Sequence, residues 1–324
     1  MTEPRFFSKR FISLMDPILV AAVCWPPLLF LNQLFPAFIS FDFWQAYYLT
    51  LPHRWLTLVV VTADPDRRKN LGWWLPASFI ATAIVVSGIW ISSGTLLCLA
   101  IADHIWNAWH FGSQHAGISR MYGLKFGQNR PLFDKWSMRL LVFYALVRPV
   151  EWSFKWINPN TIASTLLGIT DIIFVALASG MILLTFWPGQ KKAIPRILYI
   201  TSISALYGWI ILACQFSTGR FLAWLLFSSS IVHAWEYIAF ISTYSANRSN
   251  AAGLIGKLAR NWGAFLLMYL TFIGTLGVLA EAYPGSARLW ILLNLWAAFT
   301  HYWLDGMIWK FRDRRLSRDM AGSL

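Results

Sequence analysis

A chain of 324 residues that is 57% hydrophobic and 17% aromatic but only 13% charged, with a mean hydropathy of +0.53, is composed for a membrane rather than for water. The formal net charge of +13 does not point to nucleic acid, because the basic residues fall between apolar spans and gather on one side of them. Cys24, Cys98 and Cys214 sit inside apolar runs without the spacing of a zinc knot or disulfide frame, so they read as small hydrophobes.

In chain order, Arg5, Lys9 and Arg10 precede a first apolar stretch that lacks a small-residue cleavage site, which reads as an anchor rather than a signal peptide. Ten spans are expected, over residues 15–36, 43–63, 72–93, 95–117, 134–152, 165–187, 195–216, 220–245, 260–281 and 288–311. Each has about the 20 residues that cross a hydrocarbon core. No stretch outside them is long enough for another folded domain. Residues 1–324 therefore read as one all-α transmembrane helical domain, a polytopic bundle with a short basic C-terminal tail.

Lysine and arginine fix the expected orientation. Alternate loops and both termini hold 22 of the 27 basic residues, among them Arg67, Arg68 and Lys69, Arg120 and Lys125, Lys191 and Lys192, and Arg312 to Arg318. The opposite side has four: Arg148, Lys155, Arg220 and Arg288. Both termini are then cytoplasmic, with residues 117–133 a cytoplasmic loop, as in a multi-pass protein of a cell membrane, the bacterial inner membrane foremost.

All six histidines fall within expected spans: His53 in the second, His104, His110 and His115 in the fourth, His233 in the eighth and His301 in the tenth. Each of those helices runs from outside to inside. Their first histidines come at similar depths, as one cluster would require. Asp103, Asn107, His110 and Gln114 line one strip of the fourth span. His233 and Glu236 are three residues apart and His301 and Asp305 four apart, so each pair shares a helix face. Ionisable groups at membrane depth are costly and face a partner, a cavity or an ion.

Imidazole with carboxylate on facing helices is how bundles hold iron or manganese. The expected metal ligands are His53, His104, His110, His115, His233, Glu236, His301 and Asp305, around one or two non-haem iron ions or another transition metal. Glu236, Asp305 and Asp103 are the candidate catalytic groups. Asp103 is placed as an acceptor for an imidazole N–H, and Arg54 as a partner for Asp103, Glu236 or Asp305. The bland alternative is that buried histidines hydrogen-bond neighbouring helices and stitch a bundle together. Arg148, Glu151 and Asp171 read as a structural ion pair or an outer vestibule. Trp106, Trp109, Trp235, Trp296 and Trp303 flank the histidines as packing or as walls of an apolar cavity.

No adjacent histidines match the boxes of fatty-acid desaturases and hydroxylases. Pro52-His53, His110-Phe111-Gly112 and His301 with Asp305, with His233 between them, resemble the elements of the Brp/Blh family of membrane β-carotene dioxygenases. The resemblance covers those islands alone, and Arg54 replaces the glycine that follows Pro-His in the family. It implies a histidine-held iron and an apolar substrate, with carotenoid cleavage as one such reaction.

The expected function is thus an integral-membrane non-haem iron oxygenase, hydroxylase or desaturase. Its substrate would be a lipid or other hydrophobic small molecule, and an electron-donor protein its partner. Two alternatives stand beside it: a bis-histidine haem protein that transfers electrons, and a proton- or metal-coupled transporter. The second finds no pair of broken helices marking inverted halves. A zinc hydrolase would need His-Glu-x-x-His, which is absent.

Overall fold

The computed structural model describes residues 16–34, 46–125, 131–187, 193–216, 219–251 and 253–308. The basic residues Arg5, Lys9, Arg10, Arg130, Lys191 and Lys192 and those from Lys310 to Arg318, used above to fix the orientation, lie outside them.

The described residues form helices and no strand. In chain order these are α1 (Pro17–Val23), α2 (Trp25–Leu34), α3 (Leu51–Ala63), α4 (Pro65–Leu71), α5 (Trp74–Ser93), α6 (Leu97–Lys125) and α7 (Pro131–Phe154). There follow α8 (Ile162–Thr185), α9 (Ile194–Gln215), α10 (Gly219–Ala246), α11 (Leu254–Arg260), α12 (Trp262–Ala282) and α13 (Pro284–Ile308). A π-helical turn at Ala46–Thr50 leads into α3. Five helices, α5, α8, α9, α10 and α12, are long and apolar enough to cross a membrane.

Local chemistry sets the boundaries, in places against expectation. Where one span was expected over 15–36, the described residues form two helices, because Pro26 and Pro27 have no N–H to continue a ladder and fit only a first turn. The expected loop 117–133 is helical up to Lys125 and again from Pro131. Hydropathy drops there, but Met121, Leu124 and Lys125 are good helix formers, and the backbone ladder does not need lipid. Asp64 accepts from the Asp66 amide and Pro65 takes the first helical position, so α4 forms where only a loop was expected. Thr161 and Ser164 cap α8 reciprocally.

The outer faces are inverted relative to a soluble bundle. Helix α5 buries Ser78, Thr82 and Val86 while Ile80, Ile84 and Ile91 face outward. Helix α8 buries Asp171, Ala178 and Thr185 and exposes Leu166, Ile169, Ile172 and Ile173. Apolar stripes of that extent on a free surface would aggregate in water and are at home against lipid. Cys98, expected as buried, is on such an exposed face.

Two compact units divide the described residues, neither continuous in sequence. One takes those within Met1–Pro36 and Asn107–Glu236, the other those within Ala37–Trp106 and Tyr237–Leu324. In the first, α9 is the central helix, packed against α1, α7 and α8. Its Tyr199, Ile203, Leu206 and Tyr207 are fully buried. Helices α6 and α7 touch backbone to backbone at Gly112, where a Cβ would lie 2.8 Å from the Arg139 carbonyl oxygen.

In the second unit α13 is central, packed against α3, α5 and α12. Thr82 and Thr300 share a 2.7 Å hydrogen bond between α5 and α13, and the Trp296 indole donates to the Phe79 carbonyl at 3.0 Å. Such polar contacts join helices where apolar packing gains nothing over lipid. Gly274 of α12 leaves room for the ring of Tyr48, and the Tyr269 hydroxyl donates to the Pro52 carbonyl at 2.7 Å. That bond anchors the first turn of α3, and His53 with it.

Candidate metal centre

Helix α3 places His53 and Thr57 one turn apart on a shared face, and α13 does the same for His301 and Asp305. Those two faces meet within the second unit. A ring nitrogen of His53 lies within 4.8 Å of one of His301, and the rings stand perpendicular with centroids 5.2 Å apart. His301 Nδ1 is 3.6 Å from Asp305 Oδ2. His53, Thr57 and His301 are buried, as expected for groups facing a partner rather than lipid.

Thr57 organises this cluster. Its hydroxyl is 2.6 Å from His301 Nδ1, donates to Asp305 Oδ1 at 3.4 Å and contacts the Tyr237 hydroxyl. Tyr237 also donates to Asp305 Oδ1 at 3.1 Å. An ionised carboxylate only accepts, and a threonine hydroxyl has one proton to give. His301 Nδ1 and the Thr57 hydroxyl share one hydrogen bond, which holds the ring. His53 with His301, and His301 with Asp305, are thus close pairs of the donor types that hold non-haem iron, although the three together are not one group of mutually close donors.

The first unit holds the other cluster. The rings of His110 and His233 are perpendicular at 5.1 Å, and Phe111 stacks on His233 with centroids 3.6 Å apart. His115, fully buried, is held at both nitrogens: Nδ1 is 3.0 Å from the Tyr199 hydroxyl and Nε2 3.0 Å from that of Tyr207. Tyr207 reaches on to Ser229 at 2.9 Å. Glu236 Oε2 lies 3.1 Å from His115 Nδ1 and accepts from Gln114 at 3.3 Å and from Tyr199 at 3.5 Å. His115 is thus placed as a hydrogen-bonding centre.

The remaining candidates are placed as follows. Arg54 faces Asp103 at 3.8 Å, and the Tyr302 hydroxyl donates to Asp103 at 3.0 Å. His104 is half-buried on α6. Among the described residues, His104, His115, Glu236 and Asp103 belong to no group of three donors close enough for one ion. Arg148 binds Asp171 at 3.0 Å and pairs with Glu151, with Tyr144 donating to Asp171, so the expected ion cluster exists. Trp106 and Trp296 pack against the core cluster of Val86, Leu99 and Phe299, whereas Trp109, Trp235 and Trp303 are partly exposed.

Beyond the spans, Arg248 binds both Asp64 and Asp66 at 2.7 Å. Burial alone would lower its pKa, but these two carboxylates raise it above the usual value.

Thr57, Tyr237, Tyr199 and Tyr207 were not singled out from the sequence. A signal existed for two of them: Thr57 follows His53 by four residues, and Tyr237 follows His233 by four.

Described residues that are helical throughout their regular structure, five apolar helices of spanning length among them, and histidine groups suited to a metal are as far as fold and site define the class. Comparison with family models, with curated protein sequences and with solved structures returns no match.

Proposed function

We propose that this chain is a multi-pass protein of a cell membrane, the bacterial inner membrane foremost, with ten spans and both termini cytoplasmic. It acts as a non-haem iron-dependent oxygenase, of the oxygenase, hydroxylase or desaturase type, on a lipophilic substrate. The observation that carries this reading is the placing of His301 beside both His53 and Asp305, ordered by Thr57 and Tyr237 within one unit. A resemblance to the Brp/Blh carotenoid-cleaving enzymes agrees with it, and an electron-donor protein is a partner that the hydroxylase or desaturase type would use.

Iron held there would supply open positions for dioxygen and a Lewis acid beside the substrate. The chain's own residues have separate tasks. Tyr269, through the Pro52 carbonyl, holds the first turn of α3 so that His53 keeps its place. Thr57 holds the His301 ring by Nδ1 and so fixes the orientation of an imidazole that would be a ligand. Tyr237 and Thr57 hydrogen-bond one oxygen of Asp305, which orients that carboxylate. The buried setting of His53 and His301 excludes water.

The test is elemental analysis with an absorption spectrum of the purified protein. Iron near one equivalent without a Soret band supports the reading. A Soret band would make it a haem protein that transfers electrons, and no bound transition metal would favour a proton-coupled transporter.

A further inference from the structure

In the first unit, α6 and α7 carry a basic and aromatic patch away from the histidines. The Arg139 guanidinium lies 5.3 Å from the Trp109 ring and 5.7 Å from the Trp136 ring, and Lys135 Nζ is 5.0 Å from Trp136. Arg120 is near enough to act on Arg139 electrostatically. Both tryptophans are partly exposed, as rings at a lipid headgroup level are. The close approach at Gly112 fixes α6 against α7 at this point, so the patch is a rigid one.

Among the described residues these three cations face no anion. The described carboxylates of this unit are engaged elsewhere: Asp16 by Tyr122, Asp134 by Arg196, Glu151 and Asp171 by Arg148, and Glu236 by His115. Among the described residues none pairs with Arg120, Lys135 or Arg139, and the buried Nε of Arg139 has no hydrogen-bond partner. A desolvated guanidinium N–H without an acceptor is costly, and a planar fork suits phosphate. Helix α7 packs against α8 and α9, both apolar enough to span, which sets the patch beside lipid.

We propose that Arg120, Lys135 and Arg139, with Trp109 and Trp136, form a binding site for the headgroup phosphate of an anionic phospholipid. The arginine stem would lie between the indoles while its head reaches the phosphate. This site is independent of the metal reading above.

Native mass spectrometry of the purified full-length chain, titrated with phosphatidylglycerol, tests it. At about fivefold per basic residue, the Arg120→Gln/Arg139→Gln variant should bind roughly 25-fold more weakly and Lys135→Gln about fivefold. Arg68→Gln, an exposed arginine in the other unit, should match the unmodified chain. Arg139→Lys should fall between, because it keeps charge and loses the planar stack. Lys135→Gln is too peripheral to threaten folding, so it decides the matter if the double variant fails to fold. Three results would overturn the proposal: unchanged binding in the variants, equal binding of phosphatidylcholine, or full displacement of the lipid by an equal concentration of inorganic phosphate.

Discussion

Each unit buries an imidazole beside a carboxylate, but the two are finished differently. His301 is engaged at Nδ1 by one hydroxyl, that of Thr57, and has Asp305 one turn along its own helix. His115 is engaged at both nitrogens by Tyr199 and Tyr207, and its carboxylate, Glu236, comes from another helix. The His115 ring, bonded on both sides, has no lone pair left for a metal. Burial and the presence of a carboxylate are the same in both units.

Substitution separates the two centres. His301→Ala and His53→Ala should empty the site of iron, whereas His115→Ala should keep iron and lose stability. Its removal strips partners from two buried hydroxyls and a carboxylate, at about 1–3 kcal/mol for each group left unsatisfied. Metal content and the midpoint of thermal unfolding, measured on the same preparations, distinguish these outcomes. Among the carboxylates, Asp305→Ala should also lose iron and Asp305→Asn should keep the fold but lose activity. Glu236→Gln should retain iron and move only the unfolding midpoint.

Smaller effects sharpen the contrast. Thr57→Val should weaken iron binding about 10- to 100-fold by freeing the His301 ring, with Thr57→Ser restoring most of it. A competitive chelator titration measures the difference. Gly112→Ala should destabilise the first unit by about 1–3 kcal/mol, since the new methyl meets a backbone oxygen rather than a side chain that can move. Least change in iron should come of Asp103→Asn, whose partners are Arg54 and Tyr302 rather than a histidine. Equal iron content in that variant and the unmodified chain would separate Asp103 from the metal's surroundings.

Much of the helical plan was legible in the sequence, because lipid imposes long apolar runs whose ends show. The expected span 72–93 is α5 at Trp74–Ser93, and 260–281 is α12 at Trp262–Ala282. The pairing of His301 with Asp305 was legible too, since i,i+4 spacing is a local property. What escaped was non-local or masked by hydropathy. Thr57 meets His301 across 244 positions, and no periodicity encodes that contact. Helices α6 and α10 each begin in one unit and end in the other, so two units interleave along a chain that reads as one run of spans. The break at Cys24 and the short helix α4 depended on proline and capping chemistry rather than on apolar content.

The most direct measurement is iron per chain in His301→Ala and His115→Ala, purified side by side in the same detergent with absorption spectra recorded. The account predicts that the first is empty and that the second keeps the iron of the unmodified chain, with no Soret band in either. Iron retained by His301→Ala and lost from His115→Ala would contradict it.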